Sequence, residues 1–563
     1  MAAGPVESAS EVLDRVSRTL AGVEARYGAG PSDVDSWAGA FRAAMADNLF
    51  WPSGRILNNC GTSRSELASC FVLPVDDDFA GIFDTLRLAA LCHRGGGGTG
   101  FDLTPLRERG AAISTSGAAG ASGPVSWLHL FNAETEVVQQ GGKMRGANLG
   151  SLSVRHPDVV EFITAKSRVG DLANFNLSVS VDDAFMAALQ DDEWIALVSP
   201  AGGRVVRRLR AREIWRRIAE CAHATGDPGV LFLDAINRDN PLAAALGPIR
   251  TTNPCGEQTL YPFEPSNLGS INLAALAGNG DLDWERFDRT VRLAVRLLDD
   301  AIDVAEYPDS RLTDGARSNR RLGLGVMGFA DLLVRLGVRY DSGAALEVID
   351  RIGSRLREVA WAESARLAAE RGPFPNFGLT GWTTPVRNVA ITTIAPTGTI
   401  SMIAGASSGI EPRFAAVWNK DVLDIGGVTA VDPLLLADVM AARGVPAAAA
   451  RDMVAATPLA DLGLPGDRLV LHRFAHDVSA EWHVRIATRW QRYIDNAVSK
   501  TVNLARSATV EDVESALLLS WRSGAKGISV YRQGSRGQDL LTAVGAADPS
   551  RQSRGLLAAT RPA

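Results

Sequence analysis

Residues 9–48 place apolar side chains three and four positions apart with charged residues between them, the period of amphipathic helices, and the breaker 28-GAGPSD-33 divides the stretch into two. The segment 50-FWPSGRILNNCGT-62 then ends the helical pattern with Pro, Gly and Asn. Beyond it, short apolar runs such as 69-SCFVLPV-75, 175-FNLSVSV-181, 388-NVAITTIAP-396 and 526-KGISVY-531 predict strands. They alternate with helix-period stretches, among them 155-RHPDVVEFITAK-166, 210-RAREIWRRIAECAH-223 and 284-WERFDRTVRLAVRLLDDAIDVA-305. Strands alternating with helices predict an α/β fold with a mainly parallel sheet, closed as a barrel or open and doubly wound. Residues 425–454 are Ala-rich and read as helical, a peripheral insertion. After about residue 537 the pattern dissolves, which predicts a disordered tail over 538–563. The expected organisation is a helical N-terminal region over 1–50, a main body over 51–537 and that tail.

Composition narrows the function. Across 563 residues, 58 basic and 64 acidic side chains are interspersed, for a formal charge of -6, so no electrostatic footprint exists for a nucleic acid polymer or an anionic membrane. No apolar run approaches the roughly 18 residues of a membrane span, and the N-terminus lacks a signal-peptide core, which predicts a cytoplasmic protein. The cysteines, Cys60, Cys70, Cys92, Cys221 and Cys255, are too few and too unevenly spaced for a disulfide framework, and no Cys/His cluster suggests zinc. A cysteine that matters here matters as a thiol.

Three glycine-containing turns could hold anions. The run 94-RGGGGTGFDL-103 lacks the order of a P-loop or a dinucleotide fingerprint and could equally be a flexible turn. The loop 395-APTGTISMIAGASSGIEP-412 follows a strand-like run and offers amides and the hydroxyls of Thr397, Thr399 and Ser401, the chemistry of a phosphate turn, although an ordinary capped turn looks the same. The turn 141-GGKMRGANLG-150 adds Lys143 and Arg145, more commonly solvated charges.

The stretch 253-NPCGE-257 sets a thiol two residues from a carboxylate in a turn. A neighbouring carboxylate raises a thiol pKa, which is wrong for a nucleophilic cysteine but acceptable for one that donates and accepts a hydrogen atom, with Glu257 as general base.

Taken in order, SCFVLPV, GGGTGFDL, QQGGKMRGANLG, NPCGEQ, PTGTIS with SSGIEP, and DNAVSKTVNL resemble the class II ribonucleotide reductases, adenosylcobalamin-dependent enzymes that replace the ribose 2′-hydroxyl with hydrogen. The resemblance runs from about residue 45 to 540. It implies a ten-stranded α/β barrel of two five-stranded halves with a central finger loop bearing Cys255. It implies that Cys255 forms the thiyl radical that takes the 3′-hydrogen, that Glu257 deprotonates the 3′-hydroxyl, that Asn253 orients it, and that Cys70 protonates the departing 2′-hydroxyl. Ser69 matches a substrate-contacting serine, and Thr397, Gly398, Thr399, Ile400 and Ser401 match the turn that holds substrate phosphates. Tyr531 stands alone where class I enzymes carry a tyrosine pair, which agrees with a radical made locally by cobalamin. The 50 residues or so before the barrel are too few for an ATP cone, and 166-KSRVGDLANFN-176 occupies the place of a specificity loop. No DxHxxG signature is present, as the resemblance implies for a class in which cobalamin packs against the barrel mouth without a dedicated B12 domain. A monomer or a homodimer is expected.

The sequence departs from the family at its electron path. A second redox cysteine is expected before NLGSINL, but Ser266 stands there, and the C-terminal cysteine pair is absent. Serine forms no disulfide, so the two electrons for C2′ need another source. Cys92 or Cys60 could replace the missing partner of Cys70. An external small-molecule reductant such as formate or a thiol could supply the electrons, as formate does in class III enzymes. Alternatively the reaction is redox-neutral, an epimerisation or dehydration of a nucleotide in nucleoside natural-product biosynthesis. A non-catalytic nucleotide-binding homologue is the reading from another class, and retention of Cys70, Cys255 and Glu257 argues against it.

Overall fold

The computed structural model describes residues 7–113, 120–140, 144–168, 170–278, 280–422, 426–535 and 541–543. The expected N-terminal helices form as α1 (Ala9–Ala21) and α2 (Pro31–Ala46). Ser8 caps α1 with a reciprocal Glu11 bond, and Pro31 opens α2 where its missing N–H costs nothing.

Five strands then pair in parallel, in order: β1 (Cys70–Leu73), β2 (Gly98–Asp102), β3 (Asn148–Ser153), β4 (Phe175–Val181) and β5 (Gly229–Phe232). A second parallel set follows: β6 (Pro265–Asn272), β7 (Leu322–Met327), the extended run 391–394, β8 (Thr501–Leu504) and β9 (Gly527–Arg532). The two sets meet antiparallel at both edges, β6 against β1 and β5 against β9. The run 391–394 joins the ring through single bridges, Leu324 to Thr392 and Ile394 to Val498, with Leu324 N donating to Ile391 O at 2.8 Å and Ile394 N to Ala497 O at 3.1 Å. Hydrogen bonding thus passes through two five-membered halves and back to its start, the barrel that the family resemblance implies and one of the two arrangements the strand–helix alternation allows. The run 391–394 forms no regular strand because the Asp495 carboxylate takes the Ile391 and Thr392 amides.

The crossovers cover the outside, including α3 (Phe79–Gly95), α4 (Pro124–Val137), α5 (Ala211–Thr225), α6 (Trp284–Val304) and α7 (Gly343–Arg371). One core, with Phe71, Phe101, Phe131, Phe175 and Trp215, lies outside the first half. Another joins α1 and α2 to the second half through Val16, Leu20, Phe41, Leu298 and Phe329. The N-terminal helices are therefore part of the barrel's wall. A buried ion cluster binds them further: Glu24 accepts from Arg296 and Arg371 at 2.6 Å each, and Arg371 also reaches Asp299 and Asp300.

Two expectations need correction. Residues 425–454 are not wholly helical: Val417–Val422 and Gly426–Val431 form a hairpin, and helices occupy Pro433–Arg443 and Ala447–Ala456. Their apolar faces close a small separate core around Leu435, Val439 and Val454. In the tail, Leu541–Ala543 pairs with Trp418–Lys420 as a strand, whereas 538–540 and 544–563 lie outside the described residues. Among the described residues no single helix is long and apolar enough to cross a membrane.

Through the ring runs a hairpin, Thr251–Thr252 paired with Thr259–Leu260. Two glycines of 94-RGGGGTGFDL-103, Gly98 and Gly100, serve it: Gly95 ends α3, and the segment from Gly98 to Asp102 is strand β2. A Cβ on Gly100 would lie 1.8 Å from Thr252 O, and one on Gly98 would meet Pro254 Cγ at 2.8 Å. On the other wall, a Cβ on Gly323 would meet Gln258 Nε2 at 2.4 Å. Gly100→Ala is expected to expel the hairpin from its seat and cost about 3 kcal/mol or more, read as a lower thermal midpoint and faster proteolysis within 251–260.

Candidate active site

The hairpin's tip, Asn253 to Gln258, closes with Asn253 N donating to Gln258 O at 3.1 Å and Gly256 N to Asn253 O at 3.1 Å. Gly256 supplies the left-handed turn at φ +81°, a conformation a side chain would strain. Three residues from the wall hold the tip in place. Asn176 Nδ2 donates to Pro254 O at 2.9 Å, Thr393 Oγ1 to Glu257 O at 2.8 Å, and Ala497 N to the same carbonyl at 2.9 Å. In the sequence, Asn176 and Thr393 show only as polar residues within the otherwise apolar strand runs 175–181 and 388–396.

The tip brings two of the expected residues, Asn253 and Glu257, onto Cys70 of β1. Asn253 Nδ2 donates to Cys70 Sγ at 2.9 Å, and Cys70 Sγ donates to Glu257 Oε1 at 3.8 Å. Asn253 Oδ1 accepts from Gln258 N at 3.0 Å, which fixes its amide orientation. Cys70, Asn253 and Glu257 are all buried, while Cys255 at the apex is exposed. Cys255 opens on a cavity of about 240 Å³ lined also by Asn176, Ser178, Pro396, Lys500 and Ser529.

Burial sets the protonation states. It lifts Glu257 to about 7, against the opposing hydrogen bonds from Asn253 and Cys70. It lifts the Cys70 thiol well above its ordinary range, with repulsion from Glu257 and then Cys255 adding to the effect. Cys255 is raised as well, because the apex, although accessible at the cavity, is surrounded by the barrel wall and so poorly solvated, with Glu257 adding. Both thiols are therefore neutral near pH 7 and suited to hydrogen-atom transfer, while Glu257 titrates near neutrality as a general base requires.

Ser266 lies directly opposite Cys70 in the antiparallel pairing of β6 with β1. Its hydroxyl is buried and makes no hydrogen bond, and Glu257 Oε2 is likewise buried without a partner. Each such group costs about 1–3 kcal/mol unless something pairs it, and both belong to the cluster around Cys70, where a polyhydroxylated ligand would satisfy them. Ser69, which precedes β1, donates its amide to Ser266 O at 3.3 Å.

Cys92 is not brought to this cluster. It packs in the outer core with Phe71, and alternation along β1 turns Phe71 to the helices and Cys70 to the barrel interior. The wall itself separates the two thiols. Cys60 ends the short helix Gly54–Asn59 in the core beneath α1, also away from the hairpin.

The turn after 391–394 leads into a short helix, Ile400–Ala404. Gly398 and Thr399 are exposed there, whereas Thr397 and Ser401 are buried. Thr397 Oγ1 accepts from Gly409 N at 2.8 Å and Ser401 N donates to Thr397 O at 2.9 Å, so these two residues shape the turn. Ile400 anchors it in the core. Lys500 Nζ, buried beside the Cys255 cavity, donates to Glu411 Oε2 at 2.5 Å and to His483 Nδ1 at 2.9 Å, tying the SSGIEP and SKTVNL segments together. Of the third glycine turn, Lys143 lies outside the described residues.

The ribonucleotide reductase barrel domain matches residues 68–386 and 380–531 of this chain. The vitamin B12-dependent ribonucleoside-diphosphate reductase of Mycobacterium tuberculosis is 42% identical over 549 residues, covering 96% of this chain and 78% of the relative. That of Thermoplasma acidophilum is 42% identical over 510 residues, 89% of this chain and 66% of the relative. The vitamin B12-dependent ribonucleotide reductase of Streptomyces coelicolor is 29% identical over 616 residues, covering 95% and 63%.

Two measurements test these electrostatics. Alkylation of Cys255 by iodoacetamide, followed by peptide mass mapping, is expected to be slow at pH 8 despite the exposure and to accelerate up to pH 10 and beyond. Glu257 has a folded pKa above its ordinary 4.5, so the stability it contributes is present below pH 4.5 and lost as pH rises through 7. Glu257→Gln is therefore expected to stabilise the fold at pH 8 by up to about 3 kcal/mol, with no gain at pH 4 in denaturant titrations.

Proposed function

This chain belongs to the ribonucleotide reductases, and from that premise we propose that it converts ribonucleotides to 2′-deoxyribonucleotides with adenosylcobalamin as cofactor and an external reductant. A ribonucleoside diphosphate is the substrate we favour, from the printed activity of the Mycobacterium and Thermoplasma relatives. The observation that carries the reading is the contact of Asn253, Cys70 and Glu257 at the base of a hairpin whose apex presents Cys255.

The cavity beside Cys255 is nucleoside-sized, with polar side chains from Asn176, Ser178 and Ser529 among its lining, and suits the adenosyl portion of the cofactor. When bound there, adenosylcobalamin supplies through cobalt–carbon homolysis the oxidising equivalent that makes Cys255 a thiyl radical. Cys255 then takes the 3′-hydrogen. Glu257 accepts the 3′-hydroxyl proton through its unpartnered Oε2, with Asn253 holding the geometry, and Cys70 donates its proton to the departing 2′-hydroxyl. Gly398 and Thr399, exposed on a turn shaped by Thr397 and Ser401 and anchored by Ile400, receive the phosphates, and Ser69 contacts the substrate beside Cys70. The overall change is ribonucleotide plus two electrons and two protons to deoxyribonucleotide and water. Cys70 alone cannot deliver both electrons, so a formate-like or thiol donor completes the reaction. The chain acts in the cytoplasm, as a monomer or homodimer.

Ser266 opposite Cys70 also favours a second reading, in which the same radical start ends in a redox-neutral epimerisation or dehydration. Tritium at the 5′-position of adenosylcobalamin is expected to exchange with solvent in the presence of ribonucleotides, and not in Cys255→Ala; no exchange with any nucleotide would overturn the radical reading. Mass spectrometry of the product separates the two outcomes, a 2′-deoxynucleotide against an isomer or a dehydrated nucleotide. Directly opposed strand residues have Cα separations that a disulfide spans. Ser266→Cys is therefore expected to form a bond with Cys70 on turnover and to make dithiothreitol an efficient reductant, raising deoxynucleotide yield at least tenfold. Activity of the parent protein is expected to rise through about pH 7 as Glu257 deprotonates.

A further inference from the structure

At the end of the barrel away from the Thr397–Ser401 turn lies a second cavity, of about 360 Å³. Val389 and Ala390, which precede the run 391–394, line it, whereas the turn follows that run, so the two sites sit at opposite ends of one strand. Five cations line the cavity, Arg238, Arg321, Arg357, Arg492 and Lys526, against two carboxylates, Asp239 and Asp495.

One of the two carboxylates is already committed. Asp495 accepts from the Ile391 and Thr392 amides, the Thr392 hydroxyl and the Trp361 indole. Arg321 is spent on Glu264 and Asn496. Lys526, buried at the floor, donates at 2.6 Å to a neutral carbonyl, Asp495 O, and makes no ion pair among the described residues. Arg238, Arg357 and Arg492 are exposed at the mouth and make no ion pair or hydrogen bond among the described residues. Burial draws Lys526 down to about 8, with Asp495 and Asp239 opposing and the nearby Arg321 and Arg238 charges adding a smaller push in the same direction as burial. Repelling cations gathered round an enclosed space are destabilising unless an anion joins them.

Two tryptophans complete the wall. Trp361 and Trp382 meet edge to face at 5.6 Å and 84°, and both are half-buried. Aromatic faces beside guanidinium groups suit a flat ring carrying phosphates, because the ring stacks while the arginines take the charge.

We propose that this cavity binds a phosphate-bearing anion of nucleotide size, with Arg238, Arg357 and Arg492 taking the phosphates at the mouth, Lys526 at the floor and the tryptophans receiving the ring. Its place gives the occupant leverage on the barrel's interior. Thr259, at the base of the hairpin, lines the cavity, and the floor residue Asp495 is two positions from Ala497, whose amide holds the Glu257 carbonyl.

The test is calorimetry and tryptophan emission on the full chain titrated with ATP and, separately, with tripolyphosphate. Saturable binding of ATP with a change in emission is expected, weakening as sodium chloride is raised. An Arg238→Ala/Arg492→Ala double variant is expected to bind at least tenfold more weakly with a thermal midpoint no lower than the parent's, since both side chains are exposed and make no ion pair or hydrogen bond among the described residues. Absence of saturable binding by either probe would overturn the proposal. So would an affinity unaltered in the double variant, which would place the ligand at the Thr397–Ser401 turn instead.

Discussion

A hairpin threaded through a closed ring of strands must displace the side chains that would otherwise fill the ring's interior. Everything at the candidate site depends on that displacement. Gly98 and Gly100 on one wall and Gly323 on the other remove their side chains where the hairpin backbone and Gln258 pass, and no larger residue fits at the distances observed. The cleared space is narrow enough that Thr393, Asn176 and Ala497 can reach the hairpin carbonyls, so the tip is hydrogen-bonded to the wall on several sides. Rigidity at the tip follows from clearance at the wall.

Burial then does the chemical work. A thiol and a carboxyl side by side in water would titrate near their ordinary values. Enclosed within the barrel, the carboxyl moves to about 7 and both thiols stay protonated, because a low-dielectric interior resists a second negative charge. The same enclosure leaves Glu257 Oε2 and Ser266 Oγ without partners. A site that carries unpaired polar groups at its centre is preorganised for a ligand that supplies them.

Ser266 separates two properties that one residue in the expected redox pair would combine. Its place opposite Cys70 keeps strand register and polarity, so the frame of the site is undisturbed. Its oxygen neither forms a disulfide nor gives up a hydrogen atom readily, so the reducing capacity stored in a cysteine pair is gone. Cys92, on α3 in the core outside β1, and Cys60, under α1, both lie away from Cys70, so neither takes the place of its missing partner.

The strand runs at 69–75 and 175–181, the amphipathic N-terminal helices and the ordered motifs around Cys70, Cys255 and Thr397 were legible in the sequence, because each rests on local periodicity or on short contiguous chemistry. The glycine run at 94–103 was visible but its use was not: whether glycine serves a phosphate or a passing backbone depends on what crosses it, and the hairpin that crosses it lies about 150 residues later. Asn176, Thr393 and the Lys500–Glu411 pair stayed hidden for the same reason, as did the ion cluster that fuses Glu24 to Arg296 and Arg371. Residue types and their local spacing determined what chemistry this protein carries. The tertiary structure alone decided which thiol faces which, since the face a strand residue presents and the neighbour it meets are properties of closure and register across distant segments.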